Sequence, residues 1–174
     1  MLPTAPTLSP ELKQAQQLAA TAQVFAIIAL VVIVLTIAFD GGAPIGVALF
    51  DNALDWREKT SRISLLLISL LPAMLFYAAV NRLRLALQHY DKGEFFSAEA
   101  SVRVAQAGDF AIEAMVAVIL VVPNVTLWIT HGGGFDMELE SETIGMLAFA
   151  CFVAAVGRIL TAATQLKAEN DAFI

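Results

Sequence analysis

The sequence predicts an all-α membrane protein, a bundle of four transmembrane helices that forms one domain over residues 1–174. The composition is 59% hydrophobic and only 15% charged, whereas soluble domains are about 25% charged. Four stretches are apolar over the roughly 20 residues that a helix needs to cross a bilayer. The alternation of a membrane β-barrel strand is absent from them.

The four predicted spans are apolar around their whole circumference, as lipid-facing helices are. They cover about Thr21–Phe39, Ile63–Val80, Phe110–Ile129 and Ile144–Ala163. Ahead of the first, Ser9-Pro10-Glu11 predicts a helix start well outside the lipid, with Ser9 as the N-cap. The second continues without a breaker to Gly93, a predicted helix stop.

Prolines inside the second and third spans, Pro72 and Pro123, predict local bends because each removes a backbone donor. Such a bend is either a tolerated irregularity or a binding site at the kink, and both interpretations stay open.

The first outer loop, from Ala43 to Ser61, is longer than a turn. Ile45, Leu49, Ala53 and Trp56 fall on one helical face, which predicts a short interfacial helix anchored by Trp56. A lid over a substrate is the alternative.

The basic residues predict that both termini are cytoplasmic, because Lys and Arg collect on that side of a membrane. Seven lie before the first span, between the second and third, or at the C-terminal end: Lys13, Arg82, Arg84, Lys92, Arg103, Arg158 and Lys167. Three lie on the other side: Arg57, Lys59 and Arg62. The loop between the third and fourth spans has none and carries Asp136, Glu138, Glu140 and Glu142, which we interpret as a solvated acidic loop in preference to a calcium or magnesium site.

The sequence predicts no catalytic, cofactor or metal site. A single cysteine, Cys151, excludes an intramolecular disulfide and a cysteine-based zinc or iron–sulfur site. His89 and His131 lie on opposite predicted sides of the membrane and cannot ligate one haem. A formal charge of −6 lacks the basic footprint of a protein that binds nucleic acid directly.

Two ionisable residues lie inside the predicted spans, Glu113 in the third and Arg158 in the fourth. The two spans are antiparallel neighbours, and the residues lie at similar predicted depth. A lone charge in hydrocarbon costs on the order of 2.5–3.5 kcal/mol, so we predict a structural ion pair between them. Separate snorkelling to the interface and a proton or ion relay are the alternatives.

Small residues form one face on each of these spans. They are Ala107, Ala111, Ala114 and Ala117 on the third span and Ala150, Ala154, Gly157 and Thr161 on the fourth. Such faces allow close helix approach, within the bundle or against a partner helix.

Two segments carry a family resemblance. Residues 81–108 read NRLRLALQHYDKGEFFSAEASVRVAQAG, and the chain ends ATQLKAENDAFI. Both resemble a family of short bacterial membrane proteins with four predicted spans, classed as a domain of unknown function. The matching positions are Gly93, Glu94, Phe96, Ser97, Glu99 and Arg103 in the first segment and Glu169, Asn170, Asp171 and Ile174 in the second.

The resemblance implies a multi-pass protein of the bacterial inner membrane, often encoded beside a Cro-like helix-turn-helix regulator, with no enzyme activity. We therefore expect a non-catalytic protein that contacts membrane lipid and acts by binding another protein. The partner is either a small cytoplasmic transcriptional regulator, bound by the segment from Gly93 to Arg103 and the C-terminal segment, or a larger membrane complex of respiratory or photosynthetic type. In the second case this chain is an accessory subunit that docks through its lateral helix faces. A small transporter or membrane enzyme is a distant third.

Overall fold

Four helical units, each long and apolar enough to cross a membrane, make up the chain in a computed structural model that describes residues 10–137 and 139–172. The units are Pro10–Phe50, Trp56–Asp91, Ala98–His131 and Ser141–Asp171. Each contains one predicted span, and no strand occurs among the described residues. The predicted all-α class and its four spans are therefore confirmed. The predicted N-cap Ser9 lies outside the described residues.

Two of the units are interrupted by π-helical turns. The helices are α1 (Pro10–Thr36), α2 (Ala43–Phe50), α3 (Trp56–Asp91), α4 (Ala98–Val116), α5 (Val122–His131) and α6 (Ser141–Asp171), and the π-helical segments are Ile37–Gly42 and Ala117–Val121. At a rise of 1.5 Å per residue, the 36 residues of α3 extend over about 54 Å. Its ends therefore project beyond a hydrocarbon core of roughly 30 Å.

Each π-helical segment contains the carbonyl that a following proline leaves unpartnered. Proline has no N–H, so the carbonyl four residues earlier loses its α-helical donor. That carbonyl belongs to Asp40 for Pro44 and to Ile119 for Pro123, and both lie inside the π-helical segments. The irregularity predicted at Pro123 is thus a π-helical turn, whereas α3 stays α-helical through Pro72.

The segment 43–61 differs from the single interfacial helix predicted for it. Helix α2 ends at Phe50, and Trp56 begins α3. Between them the Asp51 carboxylate accepts the Ala53 N–H at 2.9 Å, a local bond that competes with helix formation. Trp56 therefore lies on a different helix from Ile45, and the predicted four-residue face is not formed.

The helices pack in chain order as an open bundle. The N-terminal unit packs on α3, α3 on α4, and α4 on α6, while no comparable packing joins α1 to α6 in the described part of the chain. On one side, α3 and α6 leave an apolar groove of about 480 Å³ over α4. This groove opens to the surroundings of the bundle.

The large apolar side chains of the spans face outward. In the most apolar 18-residue stretch of each unit, only 6% of the residues are buried in the first unit and 22% in the third. The buried positions are mostly small, with Ala86, Ala100 and Ala114 fully covered. Because burial of apolar surface is worth about 25 cal/mol per Å², this outward surface favours lipid over water.

The small-residue faces of the third and fourth spans pack against each other. A Cβ added at Gly108 would overlap the backbone of Ala154, and one added at Gly157 would overlap the backbone of Ala105. Ala107 and Ala154 are buried as well. Of the two uses left open by the sequence, close packing within the bundle is the one observed.

Candidate functional site: the turn between α3 and α4

A hydrogen-bonded turn joins α3 to α4. Gly93 has φ +84°, the left-handed conformation that glycine adopts without a steric penalty. Its N–H donates to the Tyr90 carbonyl at 3.0 Å, and the Glu94 N–H donates to the His89 carbonyl at 2.9 Å. These two bonds form a Schellman motif, so the predicted helix stop at Gly93 is confirmed.

The following helix begins with a side-chain cap. The Ser97 hydroxyl accepts the Ala100 N–H at 3.3 Å, which satisfies a donor that the first helical turn leaves open. Across the turn, the Tyr90 and Phe95 rings stack with centroids 6.2 Å apart. Backbone, cap and rings together hold the turn in one conformation.

Charged side chains form a connected row on the turn. His89 Nδ1 lies 2.6 Å from Glu94 Oε2, and His89 Nε2 lies 3.7 Å from Glu99 Oε2. On its other side, Glu99 accepts a hydrogen bond from Arg103, one helical turn further along α4. The imidazole therefore lies between two carboxylates, one of which is paired with a guanidinium.

The N-terminal and C-terminal helices also reach this turn. Gln16 of α1 donates to the Asp91 carbonyl at 3.2 Å. From α6, the Lys167 ammonium lies 4.5 Å from the centroid of the Phe96 ring, within cation–π range. We call the surface formed by the following residues the turn surface: His89, Glu94, Phe96, Glu99, Arg103 and Lys167.

The predicted partner-binding residues divide between this surface and the end of α6. Gly93, Glu94, Phe96, Glu99 and Arg103 lie together on or under the turn surface. The polar residues of the C-terminal segment, Glu169, Asn170 and Asp171, are exposed on the last turn of α6. The predicted apolar end, Ile174, lies outside the described residues.

Three contributors to the turn were not identified as site residues from the sequence: His89, Lys167 and Gln16. His89 was considered only as a metal ligand, and no local pattern links it to glutamates five and ten residues away. Lys167 and Gln16 come from distant segments, so their approach depends on tertiary packing alone. Among the described residues, no group of three or more side chains could hold a metal ion.

The predicted ion pair has a different acidic member. Arg158 Nη2 donates to Asp109 Oδ1 at 2.9 Å, and no ion pair joins Arg158 to Glu113 within the described residues. The prediction was therefore correct about α4 and α6 but wrong about the acid. Asp109 is one helical turn closer to the α3–α4 turn than Glu113, and both side chains of the observed pair are substantially exposed.

At the opposite end of the bundle, the kink at Pro123 is held by its own chain. Asn124 Nδ2 donates to the Leu120 carbonyl at 2.6 Å and to the Asp136 carbonyl at 2.7 Å. Asn124 Oδ1 accepts the Asp136 N–H at 3.1 Å. The amide is occupied by these bonds, which favours the structural interpretation of the kink over a binding site. Glu138 of the predicted acidic loop lies outside the described residues.

Taken together, the fold defines a multi-pass helical membrane protein, with a charged and aromatic turn surface at one end of an open bundle. The chain belongs to a family described as a protein of unknown function, DUF2975, whose family model matches residues 13–174. This confirms the resemblance carried by the turn and the C-terminal segment. No curated protein and no solved structure matches the chain.

Proposed function

We propose that this chain is a non-catalytic protein of the bacterial inner membrane that acts by binding a second protein at the turn surface. The single observation that carries the proposal is the convergence of all four helical units on one turn, where α1 and α6 both contact the α3–α4 connection. The orientation expected from the basic residues places this turn in the cytoplasm.

The chemistry of the turn surface suits a protein partner. Phe96 is 67% exposed, and aromatic and arginine side chains are enriched in protein interfaces. Glu94 and Arg103 add charges of both signs, which provide specificity and orientation. Because hydrogen bonds and a side-chain cap already order the turn, we expect binding to cost little conformational entropy there.

Between the two partner types, the turn surface favours a soluble cytoplasmic regulator. The accessory-subunit alternative has the chain dock through lateral helix faces, of which the small-residue faces are suited to close contact with a partner helix. Those faces are occupied by the packing of α4 on α6, which leaves the turn as the best-formed candidate contact. The resemblance to proteins encoded beside a helix-turn-helix regulator points the same way.

The proposal is tested by site-specific photocrosslinking of the full-length protein in its native membrane. A photoreactive phenylalanine analogue replaces Phe96, and the matched control replaces Phe135, which is 75% exposed at the opposite end of the bundle. We expect an adduct specific to position 96 that mass spectrometry identifies as a soluble DNA-binding protein. An integral membrane protein in that adduct would favour the accessory-subunit alternative, and identical adducts at both positions would contradict the proposal.

The C-terminal segment provides a second arm of the test. Removal of residues 169–174 leaves the α4–α6 contact intact, since Ser101 Oγ and Thr164 Oγ1, 3.4 Å apart, still join the two helices. We expect a folded, inserted protein that recovers much less of its partner in a pull-down. Unchanged recovery would remove this segment from the binding surface.

A further inference from the structure

A recess with two arginines opens between α3 and α4, beside the turn surface. It has a volume of about 420 Å³. Its lining residues are Arg82 from α3 and Ala98, Glu99, Val102, Arg103 and Gln106 from α4. A smaller recess of about 160 Å³ shares Arg82 and Gln106 with it and is also lined by Asp109, Phe110 and Glu113.

Arg82 differs from the other arginines at this end of the bundle. Arg84 is hydrogen-bonded to Asn81, whereas Arg103 and Arg158 are paired with carboxylates. Arg82 has no hydrogen-bond or ion-pair partner among the described residues, although it is half-buried. A half-buried guanidinium needs hydrogen-bond acceptors, and since the described part of the chain supplies none, they come from water or from a bound group.

The depth of the recess identifies the layer from which that acceptor comes. The second predicted span ends at Val80 and the third begins at Phe110. Arg82 is therefore about 3 Å beyond the hydrocarbon, and Gln106 about 6 Å, at 1.5 Å per residue. The headgroup layer is roughly 5–7 Å thick on each side of the hydrocarbon core. Both side chains thus start at the level of the phospholipid phosphates.

We infer that this recess binds the phosphate group of an anionic phospholipid, with Arg82 and Arg103 as guanidinium donors and Gln106 as an amide donor. Planar guanidinium groups match phosphate oxygens in bidentate geometry. Basic pockets between transmembrane helices bind anionic headgroups in this way. The recess shares Glu99 and Arg103 with the turn surface, whereas Arg82, Val102 and Gln106 belong to the recess alone. Lipid binding there does not depend on a protein partner.

The charges around the recess favour an anionic over a zwitterionic headgroup. Its lining has two guanidinium groups against the single carboxylate of Glu99, so a headgroup amine would meet net positive charge. In the smaller recess, Asp109 is already paired with Arg158. Glu113 lies seven residues deeper than Gln106 along α4, about 10 Å, below the phosphate level.

Native mass spectrometry of the full-length protein in detergent, with added lipid, tests the inference. We expect phosphatidylglycerol to be retained in preference to phosphatidylcholine, and Arg82→Gln to reduce that retention at least fivefold. The matched control is Arg84→Gln, which removes the same charge from the same helix but from a side chain that Asn81 holds. Equal retention of both lipids, or no difference between the two variants, would overturn the inference.

Two additional measurements probe the location of the lipid and the source of the phosphate. Val102→Glu places a carboxylate in the recess while both arginines remain, and we expect it to reduce phosphatidylglycerol retention in a protein with unchanged helical content. Inorganic phosphate at millimolar concentration distinguishes a lipid headgroup from a free anion. Phosphate that displaces the lipid completely would overturn the lipid assignment, whereas persistence of the lipid supports it.

Discussion

Substitution of Gly157 by alanine tests the close backbone contact between α6 and α4. A Cβ at this position would lie 2.8 Å from the Val104 carbonyl carbon and would overlap the backbone of Ala105. Ordinary van der Waals contacts of a Cβ lie at 3.4–4 Å. Because the obstructing atoms belong to the backbone of α4, no side-chain rotation relieves the clash, and the two helices must separate.

The expected change in stability on Gly157→Ala is the result of two opposing contributions. Overpacking of a tight contact costs about 1–3 kcal/mol, whereas glycine-to-alanine replacement in a helix gains up to about 1 kcal/mol in propensity. Gly145 lies on the same helix and a Cβ there would meet nothing within 4 Å, so Gly145→Ala receives only the gain. We therefore expect Gly157→Ala to be less stable than Gly145→Ala by about 1–3 kcal/mol.

Unfolding of the full-length protein in mixed micelles, followed by circular dichroism as the denaturing detergent fraction rises, measures this difference. Gly108→Ala should resemble Gly157→Ala, because a Cβ there would overlap the backbone of Ala154. Equal stability of Gly157→Ala and Gly145→Ala would refute the reasoning, since α4 and α6 could then not approach as closely as described.

Two further predictions concern polar contacts at opposite ends of the bundle. Asn124→Ala removes the bonds to the Asp136 backbone, so we expect faster hydrogen exchange in residues 132–137 and a loss of about 1–2 kcal/mol. The ion pair is tested by a double-mutant cycle with Arg158→Gln and Asp109→Asn. The coupling in the free energy of unfolding should be only about 0.2–1 kcal/mol, because both side chains are well exposed. The same cycle with Glu113→Gln should be additive, and coupling there instead would contradict the observed pairing.

The spans and the turn were predictable because their signals are local. A run of about 20 apolar residues is sufficient to indicate a membrane helix. The end of α3 was likewise predicted from Gly93, which acts on the backbone within a few residues. The hydrogen bonds of the turn confirm it.

The segment 43–61 was predicted less well because its structure depends on tertiary packing. Apolar spacing alone joined Ile45 to Trp56 in one helix. The first unit instead continues past its predicted end through a π-helical turn, where a Cβ at Gly41 would meet the Leu70 side chain of α3. This close approach lets the helix continue to Phe50 before the chain breaks, and periodicity does not report such contacts.

The partner of Arg158 shows what decides a polar contact between two antiparallel helices. Similar predicted depth selected Glu113, but the register is determined by the glycine contacts, which place Gly157 against Ala105 and Ala154 against Gly108. In that register Arg158 is level with residue 104, so Asp109 is offset by about 7 Å along the axis and Glu113 by about 13 Å. The arginine bridges the shorter offset. Gly157, within the small-residue face of α6, and Gly108, next to Ala107 on α4, were the sequence signal for this register, since glycine permits close backbone contact. Aligning these two glycines would have selected Asp109.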